Sequence, residues 1–137
     1  MLTLSSKVTY SISALFELSM HYKGKCLQIK EIASAQNIPI SYLEQILLIL
    51  RKAGFVKSIR GAQGGYKLVH DPSNIKIIDI IKAVDGDLKI SNTKVNEEIL
   101  NIFYKEKETQ LYQLFDVSIA DLLLQKKTLD KPNMYYI

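Results

Sequence analysis

The pattern that most constrains the fold is a pair of helical segments separated by a brief turn in the first half of the chain. Apolar residues recur at helical spacing over residues 29–35, and residues 36–38 form a short polar break. Pro39 suits the first position of a helix, because the N–H that proline lacks has no partner there. Gly54 can take the left-handed conformation that ends many helices. The apolar stripe of the second segment is Leu43, Ile46, Leu47 and Leu50. Together these signals predict a helix-turn-helix.

A glycine-rich loop between two strand-like segments follows directly. Residues 55–60 alternate between apolar and polar side chains, as a half-buried strand does. Residues 61–65 read Gly-Ala-Gln-Gly-Gly, which is rich in residues that accept positive φ. Residues 66–69 are typical of a returning strand. A hairpin placed after a helix-turn-helix is a wing. The predicted fold class is therefore mainly α with a small β-hairpin, a winged helix-turn-helix domain.

Further helical patterns lie on both sides of this unit. We expect a first helix that is capped by Ser5 or Ser6 and ends near Gly24. A short helix is predicted over residues 77–84, followed by a polar, irregular segment over residues 85–93.

A long amphipathic pattern follows near the C-terminus. It predicts a helix over residues 95–115, whose apolar face suits either packing within the chain or pairing of two copies. A last short helix is expected over residues 118–124, because Ser118 and Asp121 are spaced like a capping box. We expect the chain to fray from Lys126 onward.

The positive charge is unevenly distributed. The net charge is +4, but nine basic and four acidic residues precede residue 73, whereas nine basic and ten acidic residues follow. A basic first half joined to a nearly neutral second half suits a domain that binds a polyanion. A chance fluctuation of a few charges is the alternative.

The second helix of a helix-turn-helix presents its first residues to the base edges of the major groove. Here Gln45 can pair with adenine and Glu44 can accept from cytosine. Ser41 and Tyr42 suit phosphate oxygens, and Arg60 can enter a narrow minor groove. Taken alone, such a face is more often simply solvated. The predicted DNA-contacting set is Ser41, Tyr42, Glu44, Gln45, Arg51, Lys52, Arg60, Gly61, Gln63, Gly64, Gly65 and Tyr66.

Two motifs resemble a known family. Residues 42–46 (Tyr-Leu-Glu-Gln-Ile) and residues 50–66, from Leu-Arg-Lys-Ala-Gly to Gly-Gly-Tyr, are similar to the signature of the IscR/CymR-type winged-helix regulators, the Rrf family. Residues 4–7 and 80–86 match the same pattern. The resemblance is specific up to Gly86 and looser beyond it.

The resemblance implies a homodimer that binds double-stranded DNA at a pseudo-palindromic operator, most simply as a repressor, with long C-terminal dimerisation helices. The expected domains are a winged helix-turn-helix domain (1–86), a linker with dimerisation helices (87–128) and a flexible tail (129–137). Some family members without a cluster act in complex with a metabolic enzyme such as a cysteine synthase. That implies a possible metabolic-enzyme partner, with residues 134–137 as a candidate docking segment.

The chain departs from the family pattern in three places. Iron–sulfur members carry three cysteines after the wing-following helix, whereas this chain has one cysteine, Cys26, located before the second helix. We therefore expect no iron–sulfur cluster and no other cofactor. Leu48 and Ile49 stand where small or polar residues are frequent, and could contact thymine methyls, pack on the wing or weaken DNA binding. Pro39 and Ile40 leave fewer hydroxyl donors at the start of the recognition helix.

Other functions find little support in the sequence. No catalytic triad spacing, metal-ligand cluster or nucleotide-binding motif is visible, so an enzyme is not expected. The longest aliphatic run is far shorter than the ~20 residues of a membrane span, and the N-terminus does not resemble a secretory signal. These observations predict a cytoplasmic protein without membrane contact, or one of the plastid stroma if it is organelle-encoded.

Overall fold

A computed structural model describes residues 2–131, which form six α-helices and one two-stranded antiparallel sheet. A 3₁₀ turn, Pro72–Asn74, follows the hairpin. Among the described residues, no helix is long and apolar enough to cross a bilayer. The elements are α1 (Ser6–Met20), α2 (Ile29–Gln36), α3 (Ile40–Lys52), β1 (Val56–Ile59), β2 (Gly65–Leu68), α4 (Ile77–Asp85), α5 (Glu98–Leu114) and α6 (Ile119–Asp130).

One apolar core joins α1, α2, α3, α4 and the hairpin. Leu15 of α1 and Ile32 of α2 are fully buried, and so are all four apolar residues predicted for the stripe of α3. Full burial of such a side chain contributes about 1.5–3 kcal/mol to folding. The core thus holds the helix-turn-helix rigidly and leaves the opposite face of α3 in solvent.

The first three helices begin within one residue of the predicted positions, and α2 and α3 end where the sequence predicts. Helix α1 was predicted to end near Gly24 but ends at Met20, because the His21 N–H donates to the Leu18 carbonyl three residues back and closes the last turn. Ser5 caps α1, since its hydroxyl oxygen accepts a hydrogen bond from the Val8 N–H at 3.2 Å. Asn37 ends α2 in the left-handed conformation with a φ of 52°. Gly54, with a φ of 87°, follows α3. The turn between α2 and α3 is therefore short and well defined.

The start of α6 belongs to the same core. The Ile119 N–H donates to the Ile75 carbonyl at 2.9 Å, and the Ile77 N–H donates to the Val117 carbonyl at 2.8 Å. The Ile119 side chain is fully buried. Ser118 and Asp121 form the predicted capping box, and the hydrogen bond from the Ser118 backbone N–H holds the pKa of Asp121 below its usual value.

Two further boundaries were predicted wrongly. Helix α5 begins at Glu98 rather than at Val95, because the Asn101 side chain accepts from the Val95 N–H and donates to its carbonyl, which fixes Val95 outside the helix. Helix α6 continues past Leu124 to Asp130, where Lys126 and Asp130 form an ion pair one turn apart. The expected fraying therefore does not begin at Lys126. Residues 132–137, with the candidate docking segment, lie outside the described residues.

Candidate nucleic-acid interface

Helix α3 presents a polar face opposite its buried stripe. Ser41, Glu44 and Gln45 are exposed along its first turns, and Arg51 and Lys52 are exposed at its end. Residues three or four apart are neighbours on a helix surface, so these side chains form one continuous strip. The structure thus brings the predicted residues of α3 together.

Tyr42 lies differently from its neighbours. It is half-buried, and its ring packs edge-on against Tyr10 of α1, with centroids 5.4 Å apart and an interplanar angle of 74°. Such an aromatic pair contributes about 0.5–1.5 kcal/mol beyond its buried area. Tyr42 therefore ties the start of α3 to α1 and has limited freedom to reach a phosphate. The two tyrosines lie far apart in the sequence, so the pair was missed.

Strand β2 of the wing is paired along both of its edges. Strand β1 pairs with β2 in the register Val56↔Leu68 to Ile59↔Gly65. On its other edge, Tyr66 exchanges two backbone hydrogen bonds with Leu27, of 2.7 and 3.0 Å. This bridge to the α1–α2 connection was not predicted, because nothing in the short segment around Leu27 indicates its partner. It fixes the position of the wing relative to α2 and α3.

The wing glycines approach the protein's own backbone. The Gly64 N–H donates to the Gly61 carbonyl at 2.9 Å, and a Cβ on Gly64 would lie 2.1 Å from the Ile59 carbonyl oxygen. Gly65 has a φ of 146°, and its Cβ would lie 2.4 Å from the Leu27 oxygen. Gly64, Gly65 and the half-buried Tyr66 thus shape the wing. Arg60, Gly61 and Gln63 are exposed at the tip of the wing. Contact with DNA stays a prediction for all of these residues.

We call the exposed residues of α3 and the wing tip the α3–wing surface: Ser41, Glu44, Gln45, Leu48, Arg51, Lys52, Arg60, Gly61 and Gln63. Its cations are free of acidic partners, since the ion pairs found within residues 2–131 are His21–Glu17, Lys76–Asp116 and Lys126–Asp130. An unneutralised basic surface attracts a polyanion.

The wing carries a further electrostatic signal. Lys57 of β1 lies directly opposite Lys67 of β2. Like charges at directly opposed positions destabilise an antiparallel pair. A polyanion bound beside the wing would relieve that repulsion.

Comparison with known proteins agrees with this geometry. Residues 4–125 match the Rrf2 family, which is described as an iron-dependent transcriptional regulator. The chain belongs to the Rrf2 family. It is a DNA-binding transcriptional regulator rather than an enzyme, in line with the names of its relatives. The winged-helix fold class and the resemblance to IscR/CymR-type regulators are confirmed.

Individual relatives of this Rrf2-family chain cover different shares of it. A Synechocystis protein that bears the name of an HTH-type transcriptional regulator is 39% identical over 126 residues, which is 87% of this chain and 86% of that protein. IscR of Vibrio campbellii is 42% identical over 82 residues, 60% of this chain. The matched segment spans 49% of that IscR and 55% of the Rrf2 protein of Nitratidesulfovibrio vulgaris.

Solved structures match nearly the whole chain. IscR of T. potens superposes with a TM-score of 0.84 at 34% identity, covering 98% of this chain and 95% of that one. CymR, the global cysteine regulator of B. subtilis, superposes with a TM-score of 0.81 at 33% identity, covering 89% and 96%.

The residues of this Rrf2-family chain do not fit an iron–sulfur cluster. Thiolates hold such clusters, usually four of them, and the chain has a single cysteine. Cys26 is half-buried between α1 and α2, next to the wing rather than to α5. Over residues 2–131, no group of three or more His, Cys, Asp or Glu side chains is placed to hold a metal ion.

Proposed function

We propose that the chain is a homodimeric repressor that binds a pseudo-palindromic operator through the α3–wing surface. The observation that carries this proposal is that α3 exposes a polar strip, that the wing after it is basic and anchored to Leu27, and that the cations of both form no ion pair within residues 2–131. A dimer bound over a promoter would repress by excluding the polymerase from the same DNA.

Base reading is assigned to the middle of the strip. Gln45 would pair with adenine, and Glu44 would accept from the amino group of cytosine. Ser41, Arg51 and Lys52 would contact phosphates and set the position of α3 in the major groove. Arg60 at the wing tip would enter the neighbouring minor groove, where narrow A/T tracts concentrate negative potential.

Dimerisation is assigned to α5. No residue of this 17-residue helix is buried within the described chain. Ile99, Ile102 and Phe103 lie on one face at helical spacing and are 62%, 48% and 47% exposed. Most of the stability of a helix in a protein comes from packing of its apolar face, and a contiguous exposed apolar face marks an interaction site. A two-fold axis through α5 would set two α3 helices about 34 Å apart, one turn of DNA.

The dimer would work without a cofactor. This proposal rests on the single cysteine and its distance in the sequence from α5. A metabolic-enzyme partner, a cytoplasmic location and its plastid alternative stay predictions from the sequence, as do the domain boundaries at residues 86 and 128.

Two substitutions separate phosphate contacts from base reading. Lys52→Ala should weaken binding to operator and random duplexes alike and reduce the slope of log affinity against log salt concentration by about one, because it removes one phosphate-neutralising charge. Gln45→Ala should cost about 1–3 kcal/mol on the operator, relax the preference at one base pair, and leave the salt slope unchanged. Fluorescence anisotropy over a salt series measures both. Equal losses of both variants on operator and random DNA would contradict these roles.

A further inference from the structure

Helix α3 carries one apolar side chain, Leu48, in the middle of its exposed polar strip, where burial in the core does not account for it. Leu48 is 43% exposed. Its neighbours at three and four residues on either side are Glu44, Gln45, Arg51 and Lys52, all exposed. The buried residues Leu43, Ile46, Leu47 and Leu50 point the other way. A large apolar side chain thus lies at the centre of a polar strip.

The position of Leu48 limits what it can do. Packing against the wing does not account for Leu48, because much of its side chain remains in solvent. Docking of a protein partner does not account for it either, because its neighbours are polar and form no apolar patch. If the strip enters the major groove, the side chains of Leu48 and Gln45 both lie against the edges of the bases. The apolar group that DNA displays there is the C5-methyl of thymine.

We propose that Leu48 is a specificity-determining residue that contacts a thymine C5-methyl in each half-site. The inference rests on the proposed function, since it requires α3 to lie in the major groove. Gln45 is three residues away and reads the adenine edge, so the two side chains together select an A/T-containing step. The contact also removes exposed surface of Leu48 from water.

The loss of one methyl tests the contact directly. The full chain first selects its preferred duplex from a random pool. Each thymine is then replaced in turn by uracil, which differs only in lacking the methyl. At one position per half-site we expect about fourfold weaker binding, the value of one buried methyl, and about 15-fold when both half-sites are changed. In a further pair of duplexes the same thymine is replaced by cytosine or by 5-methylcytosine. The duplex with 5-methylcytosine should bind more tightly than the one with cytosine, because it restores the methyl group.

Leu48→Ala completes a double-mutant cycle. This variant should bind the thymine duplex more weakly than the wild-type chain does. Its affinities for the thymine and uracil duplexes should lie within about 1.5-fold of each other, because the methyl has lost its partner. Leu48→Met retains an apolar contact and should remain sensitive to uracil. Ile40→Ala is the matched control: Ile40 is also exposed on α3, at 47%, and its loss should leave the uracil response at the Leu48 position intact.

The outcomes separate two failures. If the wild-type chain selects a duplex but no thymine shows coupling to Leu48, the assignment of Leu48 is overturned and the proposed function stands. If the selected sites contain no thymine within the half-site, the assignment is likewise overturned. If the wild-type chain selects no duplex, both the assignment and the proposed function fail.

Discussion

Phe103→Glu should convert the dimer into monomers and weaken operator binding by about 100-fold or more. Phe103 lies on the exposed apolar face of α5 next to Ile99 and Ile102, and the Lys107 ammonium lies 5.5 Å from the centre of its ring. A carboxylate there would be buried against the second copy, and an ion pair with Lys107 one turn away would not offset its desolvation cost of several kcal/mol. Once the two protomers separate, each half-site is bound alone and the gain from linked binding is lost.

The measurement pairs molar mass in solution with operator affinity. Lys105→Glu is the matched control, because it places the same acidic group on the other side of α5, where Lys105 lines a polar cleft with Asn101 and Ser91. It should remain dimeric. A Phe103→Glu protein that stays dimeric, or that is monomeric yet binds a palindromic duplex with unchanged affinity, would contradict the assignment of α5.

Gly65→Ala should lower the free energy of unfolding by about 3 kcal/mol. Its φ of 146° is a conformation that side chains rarely adopt, and the new Cβ would lie 2.4 Å from the Leu27 carbonyl oxygen. Strained backbone and overpacking each cost about 1–3 kcal/mol. Relief requires the wing to move away from Leu27, which breaks the bridge to Tyr66. DNA affinity should therefore fall as well.

Gly61→Ala isolates the steric part of this effect. Gly61 also has a positive φ, of 107°, but its Cβ would meet nothing within 4 Å. We expect a loss of about 1 kcal/mol from backbone strain alone. Urea denaturation of the two variants measures the difference. If both lose the same stability, the close approach of Gly65 to Leu27 is not what holds the wing.

The winged helix could be predicted because its signals are local. The stripe of α3 repeats with the helical period, β1 alternates, and Gly54 marks a helix end, and each of these patterns is read within a few residues. The exposed face of α3 follows from the same periodicity, so Gln45 and Glu44 were placed correctly in solvent. A glycine-rich loop indicates positive φ in the same local way, as Gly61 and Gly65 show.

Contacts between distant segments could not be predicted. Nothing local to Leu27 or to Tyr66 indicates that they pair, and nothing local to Gly65 indicates which backbone it approaches. The start of α5 depends on one side chain, Asn101, that holds Val95 back. The use of the apolar face of α5 was also undecided, since an amphipathic pattern is the same for packing within a chain and between chains. Its exposure in the folded chain is what favours a second copy.

Selection of duplexes from a random pool by the full chain tests the central claim most directly. We expect an enriched pseudo-palindrome whose half-sites lie about one helical turn apart and which binds two protomers. A strictly monomeric chain that enriches no motif, and that binds no duplex above background at low salt, would contradict the account.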